Sequence, residues 1–257
     1  MVATRTTRPG MAERLALMIL AMSLAIGAAA GAAGTPGQEC AARKITAAGK
    51  KAACLLSLDA RAARGGAVDP VKVQKCKDKL GDPMRGAFAK AEERGGCLTT
   101  GDASGIEDKV DAFADGVDMA LNVGTPNACQ AAKLKAAGKT ASCLLTLRAK
   151  AATGAGLDPT KVQACTDRLS GPAGTFARKE VAGGCATTGD ASTIEDEVEA
   201  FVDEVVGEEP AVATCATAGC PAPVACDPSA GACWQLLPVQ AIGSSRPRKG
   251  KRSLCRS

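Results

Sequence analysis

Through residues 45–55 the apolar positions Ile45, Ala48, Ala52 and Leu55 fall at steps of three and four, with Lys44, Lys50 and Lys51 between them. That period draws one apolar stripe along an α-helix. Residues 134–144 repeat it as Leu134, Ala137, Ala141 and Leu144. Gly65-Gly66 ends the first such helix and Asp69-Pro70 opens a second, because Asp caps free N–H groups and Pro suits the first helical position. Asp158-Pro159 gives the same signal later. Gly81-Asp82-Pro83 must break or kink this second helix, since Pro lacks an N–H and crowds the preceding turn; Ser170-Gly171-Pro172 is its counterpart. The helix resumes through Phe88 and stops at Gly95-Gly96. A third helix then carries Ile106, Val110, Phe113 and Val117 on one face, matched later by Ile194, Val198, Phe201 and Val205.

These correspondences amount to a duplication. Cys40 to Pro83 aligns without a gap on Cys129 to Pro172, with 25 of 44 positions identical. The second copy is one residue shorter near Met84, after which Phe88 matches Phe176, Cys97 matches Cys185 and Phe113 matches Phe201. The expected fold is all-α: two tandem disulfide-stapled helical-bundle modules, at 34–124 and 125–210, of about three helices each with the second kinked at Pro. Each copy has its own caps, core and four cysteines, so each is expected to fold by itself.

The stretch "GGCLTTGDASGIEDKVDAF" from Gly95 returns as "GGCATTGDASTIEDEVEAF" from Gly183. Ser104 with Glu107, and Ser192 with Glu195, fit a capping box ahead of an apolar run. Asp102 and Asp190 add negative charge at the positive end of the coming helix. The rival reading is an anion cradle, but Asp102 and Glu107 would repel its guest. The third helices are acidic, through Glu107, Asp108, Asp111, Asp115 and Asp118 and their later counterparts. Clustered oxygen ligands suit Ca²⁺, yet no EF-hand spacing is present. The favoured reading is a solvated face beside the basic first helix.

Composition narrows the chemistry. The chain has 13 cysteines and no His or Tyr. Without His there is no Ser–His or Cys–His nucleophile pair and no His-ligated metal, and no cofactor is implied. Ahead of every cysteine, basic Arg5, Arg8 and Arg14 precede the uncharged run "LALMILAMSLAIGAAAGAAG". Residues 1–33 therefore read as a secretory signal peptide with small residues near its end, rather than a retained anchor; Met11 is a second possible start. An exported, oxidising setting turns the cysteines into a disulfide framework. The net charge of +5 sits in the ends, because Arg246, Arg248, Lys249, Lys251, Arg252 and Arg256 crowd the C-terminus. The helical body is close to neutral, which gives no warrant for nucleic acid as a partner.

Four cysteines per module allow three pairings. Cys40 and Cys54 share a helix about 21 Å apart at 1.5 Å per residue, too far to bond. An antiparallel return after residues 65–69 brings Cys76 to the height of Cys54 and leaves Cys40 and Cys97 at the far end. The expected bridges are nested: Cys54–Cys76 inside Cys40–Cys97, and Cys143–Cys165 inside Cys129–Cys185.

After Glu209-Pro210, "CATAGCPAPVACDPSAGACW" spaces Cys215, Cys220, Cys226 and Cys233 among Pro, Gly and Ala. It resembles short Cys-rich motifs of secreted bacterial proteins, which implies a two-disulfide knot over 211–234 in preference to a zinc site. Residues 235–257 read as a disordered basic tail, where the odd Cys255 could be free or join a second chain in a dimer. The duplicated pattern "KxxAGKKAxC…VDP…GGCxTTGDAxxIE" is similar to repeated Ala/Lys-rich, Cys-containing helical modules of uncharacterised exported bacterial proteins. Its clipped helix pairs also resemble twin-Cys helical hairpins, with longer spacing. Neither resemblance implies an activity.

The sequence thus points to a non-enzymatic structural or binding protein, secreted, periplasmic or of the cell envelope, with a protein or envelope polymer as partner and no membrane span in the mature chain. A secreted inhibitor or effector is the alternative, with Gly65 to Asp69 and Gly154 to Asp158 as candidate reactive loops. A glycosidase-like enzyme using carboxylates alone is disfavoured by the single Trp and absent Tyr.

Overall fold

The structure, a computed structural model, describes residues 34–211 and two short strands at 224–227 and 232–235. The readings made for the signal peptide, the basic tail and Cys215, Cys220 and Cys255 lie outside the described residues. Residues 36–208 fold into helices α1 (Pro36–Ala62), α2 (Pro70–Gly81), α3 (Ala87–Glu93), α4 (Ala103–Leu121), α5 (Ala128–Lys150), α6 (Pro159–Asp167), α7 (Thr175–Ala182) and α8 (Ala191–Glu208). A wider turn, Ala151–Ala155, prolongs α5. Strands β1 (Val224–Asp227) and β2 (Ala232–Gln235) pair antiparallel, with Cys226 opposite Cys233 along the backbone.

Local signals explain most boundaries. Thr35 and Gln38 form a capping box ahead of Pro36. The Asp69 carboxylate accepts from the Val71 N–H, and Asp158 accepts from Thr160 and Lys161, each with Pro at the first helical position. Pro83 and Pro172 divide the expected kinked helix into two separate ones, giving four helices per copy where about three were expected.

The two copies share one core. The most extensive contact in the structure is that of α1 with α5, and a single hydrophobic cluster runs from Ile45 and Leu56 through Phe113 to Leu145 and Phe201. Helices rich in Ala with two Phe per copy offer little apolar volume each, and the shared core pools it.

Two glycines set the closeness of α1 and α5. A Cβ on Gly49 would stand 3.1 Å from the Ser142 Cα, and one on Gly138 would stand 3.1 Å from the Ala53 Cα. The reciprocal contacts also fix the direction: as residue numbers rise along α1 they fall along α5, so the helices are antiparallel. The midpoint of the crossing lies between Lys51 and Thr140, which are themselves matched positions of the two copies.

Four disulfides clip the shorter helices onto this pair. Cys54–Cys76 and Cys143–Cys165 tie α1 to α2 and α5 to α6, while Cys40–Cys97 and Cys129–Cys185 anchor the loops that lead into α4 and α8. They span 22 residues for the inner pairs and 57 and 56 for the outer ones. Loop closure of that size stabilises by roughly 3–4 kcal/mol per bridge through the unfolded chain's lost entropy.

Candidate functional site

The hydrophobic period marks no lysine as internal, yet Lys44 and Lys133 are fully buried and Lys51 nearly so. Each copy wraps its lysine in the same way. The Lys44 ammonium donates to Asp102 at 2.6 and 2.8 Å and to the Thr99 carbonyl at 2.9 Å, and pairs with Glu92 at 3.0 Å. It stands 5.1 Å above the Phe88 ring. Lys133 donates to Glu180 at 2.6 Å, Asp190 at 2.7 Å and the Thr187 carbonyl at 2.9 Å, with the Phe176 ring centre at 4.9 Å.

This arrangement explains the repeated Thr-Thr-Gly-Asp loop. The loop carbonyl and carboxylate oxygens turned towards the lysine accept from it, so the loop encloses a cation supplied by the chain itself. Glu92 binds the loop from outside by accepting from the Gly101 N–H at 3.1 Å, and Glu180 does the same for Gly189. Cys97 and Cys185 fasten the loop to α1 and α5. The donors inside, the lysine ammonium and in the first copy the Thr99 hydroxyl, are already taken by the chain's own carboxyl groups.

The capping-box expectation is corrected by the same geometry. Helices α4 and α8 begin at Ala103 and Ala191, one residue earlier than Ser104 and Ser192, and their N-cap residues Asp102 and Asp190 make no side-chain cap bond. In the first copy both Asp102 oxygens turn to the Lys44 ammonium, and in the second one Asp190 oxygen turns to Lys133.

Electrostatics hold both partners ionised. Burial alone would lower the Lys44 pKa, but its hydrogen bonds to Asp102 and Glu92 outweigh that and raise it. Burial acts to raise Asp102 and Asp190, and their bonds to Lys44 and Lys133 overcome it and lower them. A lysine kept charged is no nucleophile and no Schiff-base former. The cradle can orient and brace; it cannot do covalent chemistry.

The copies differ beyond the cradle. Lys51 pairs with Glu107 at 3.0 Å and Asp111 at 2.7 Å, and Lys77 reaches the same Asp111 at 2.8 Å. In the second copy Thr140 and Thr166 stand where Lys51 and Lys77 would be. The acidic third helix of the first copy is thus partly engaged by lysines. Among the described residues, no group of three or more His, Cys, Asp or Glu is placed to hold a metal ion. Near Asp59, Asp115 and Asp118 crowd one another; burial, reinforced by those two charges, pushes Asp59 up to about 7. At the matched site of the second copy Arg148 pairs with Asp203 at 3.2 Å.

Outside the core, the loops at 65–69 and 154–158 follow the C-terminal ends of antiparallel helices, so they lie at opposite ends of the α1/α5 pair. Each exposes one aliphatic residue, Val68 at 42% and Leu157 at 38%. A cleft of about 280 Å³ opens between Pro36, Glu39, Arg43 and Arg94, with Arg43 already paired to Glu39 at 3.0 Å. Among the described residues, no helix is long and apolar enough to cross a membrane. No family model, curated protein or solved structure matches the chain.

Proposed function

We propose that this is an exported, non-enzymatic structural or binding protein of the cell envelope or exterior, whose two copies present matched surfaces to a partner protein or envelope polymer. The observation that carries the reading is the fate of the buried charges. Lys44, Lys51 and Lys133 are all committed to internal carboxylates, and four disulfides brace the helices that supply them. The described interior is therefore built for rigidity. Rigidity suits a spacer that holds two contact points apart. The loops at 65–69 and 154–158 are separated by a helix pair about 40 Å long at 1.5 Å per residue. Two such contacts favour a repeated polymer or two partner molecules over a single compact one.

Sedimentation of the oxidised chain with envelope material from its own cell tests this. Saturable binding is expected, and changing both Val68 and Leu157 to Asp should weaken it far more than either change alone. Absence of binding, or equal effects of the double and single changes, would refute the two-point reading.

The second reading is a secreted inhibitor or effector. It is favoured by the exposed aliphatic residues Val68 and Leu157, each within a loop enclosed by a disulfide. Blocked activity of an added protease, lost on Val68→Asp, would select it.

A further inference from the structure

Glu209 follows the last turn of α8 in the second copy, yet its carboxyl enters the lysine cradle of the first. It is 2% exposed. Its Oε2 accepts from the Thr99 hydroxyl at 3.0 Å and stands 3.7 Å from the Lys44 ammonium. Its Oε1 is buried with no hydrogen-bond partner. The charged groups facing it are Lys44 from α1, Glu92 from α3 through Lys44, and Asp102 at the start of α4. Its neighbour Glu208 reaches Lys109 of α4 at 3.5 Å. With every acid ionised, three carboxylates would share one buried ammonium. A proton on the most deeply buried of them relieves this.

Packing does not demand an acid at this position. The first copy's counterpart is Leu121, fully buried at the end of α4.

We propose that Glu209 is a proton-set latch: its protonated carboxyl, seated against the Thr99 hydroxyl and the Lys44 ammonium, pins the end of α8 to the first copy, and ionisation loosens that end. The direction follows from burial, which, opposed by Lys44 and reinforced by Asp102, pushes Glu209 up to about 8 from 4.5. A raised acid stabilises the closed form while it is protonated. The latch is fully engaged below about pH 4.5, weakens as pH rises towards about 8, and changes no further above it. It sets how firmly the chain is held where it leaves the helices at Pro210.

Hydrogen exchange of the last turn of α8, in the full oxidised chain and corrected for intrinsic rates, tests this between pH 5 and pH 8. Protection in the native protein should fall by about tenfold per pH unit over that range. In Glu209→Gln, and in Glu209→Leu, which copies the solution at Leu121, protection should be nearly independent of pH. Flat protection in the native chain, or a parallel fall in both variants, would overturn the latch. Far-UV circular dichroism identifies any variant that fails to fold, and either variant alone suffices for the comparison.

Discussion

Phe113 and Phe201 stack with ring centres 4.2 Å apart and planes 6° from parallel. They are matched residues of the two copies, on α4 and α8, and each is the other's aromatic neighbour in the shared core. Separating residues 34–124 from 125–210 therefore exposes both rings together with the Gly49 and Gly138 faces. Each oxidised half alone should melt broadly or self-associate, and mixing the halves should restore a cooperative transition. Circular dichroism with sedimentation checks this; a sharp, concentration-independent melt of a monomeric half would restore the self-contained module.

Lys44→Met should cost about 2–4 kcal/mol in urea unfolding, because it leaves the half-buried Asp102 and Glu92 carboxylates without their cation. Adding Asp102→Asn and Glu92→Gln should recover much of that loss, since the uncompensated charge is the larger part of the cost.

Glycines in helices separate into two kinds. A Cβ on Gly105, in α4, meets nothing within 4 Å, so Gly105→Ala should raise stability by about 0.5–1 kcal/mol through helix propensity. Gly138→Leu should lower it by about 1–3 kcal/mol or more, because the side chain must enter the contact with Ala53 and Leu56. Denaturant midpoints distinguish the two.

Asp59 should make the protein less stable as pH rises. Its carboxyl is held up at about 7, so stability present below about pH 4 declines as pH climbs towards 7. Asp59→Arg, which copies Arg148, should remove that decline by pairing with Asp115 in the way Arg148 pairs with Asp203. The urea midpoint of the variant should exceed that of the native chain at pH 8, with the gap closing towards pH 5.

The inner bridges can be removed singly. Replacing Cys54 and Cys76 together by Ser should cost roughly 3 kcal/mol and leave Cys40–Cys97 intact, as peptide mapping without reductant would show.

Much of this fold could be read in advance because its signals are local. Asp69-Pro70 caps and starts a helix whatever surrounds it, and Pro83 stops one. The cysteine pairs follow from helix rise and the direction of return. The missed features are non-local. Lys44 and Lys133 look like surface residues, since their burial depends on carboxylates more than forty positions away. Ser104 was misread as a cap because Asp102 is drawn to Lys44, a partner the local pattern does not contain. The α1/α5 contact was hidden because α5 is buried well beyond the Leu134, Ala137, Ala141 and Leu144 stripe, through Ala136, Gly138, Leu145 and others, so the stripe does not single out the partner face. A useful signal did exist: a lysine and a Thr-Thr-Gly-Asp loop recur together in both copies.

The α1/α5 crossing permits something that two separate identical chains could not. The contacts at Gly49 and Gly138 leave Lys51 and Thr140, half a turn round each helix, pointing away from the crossing, and Lys51 turns to Glu107 and Asp111 of α4. In a symmetric pair of single modules both outer sides would have to bury the same lysine and supply the same acids. Joining the copies in one chain frees each side to settle its charge separately. The same freedom lets Leu121 and Glu209, or Asp59 and Arg148, occupy matched places with opposite character. Sequence divergence between the copies is therefore a structural resource.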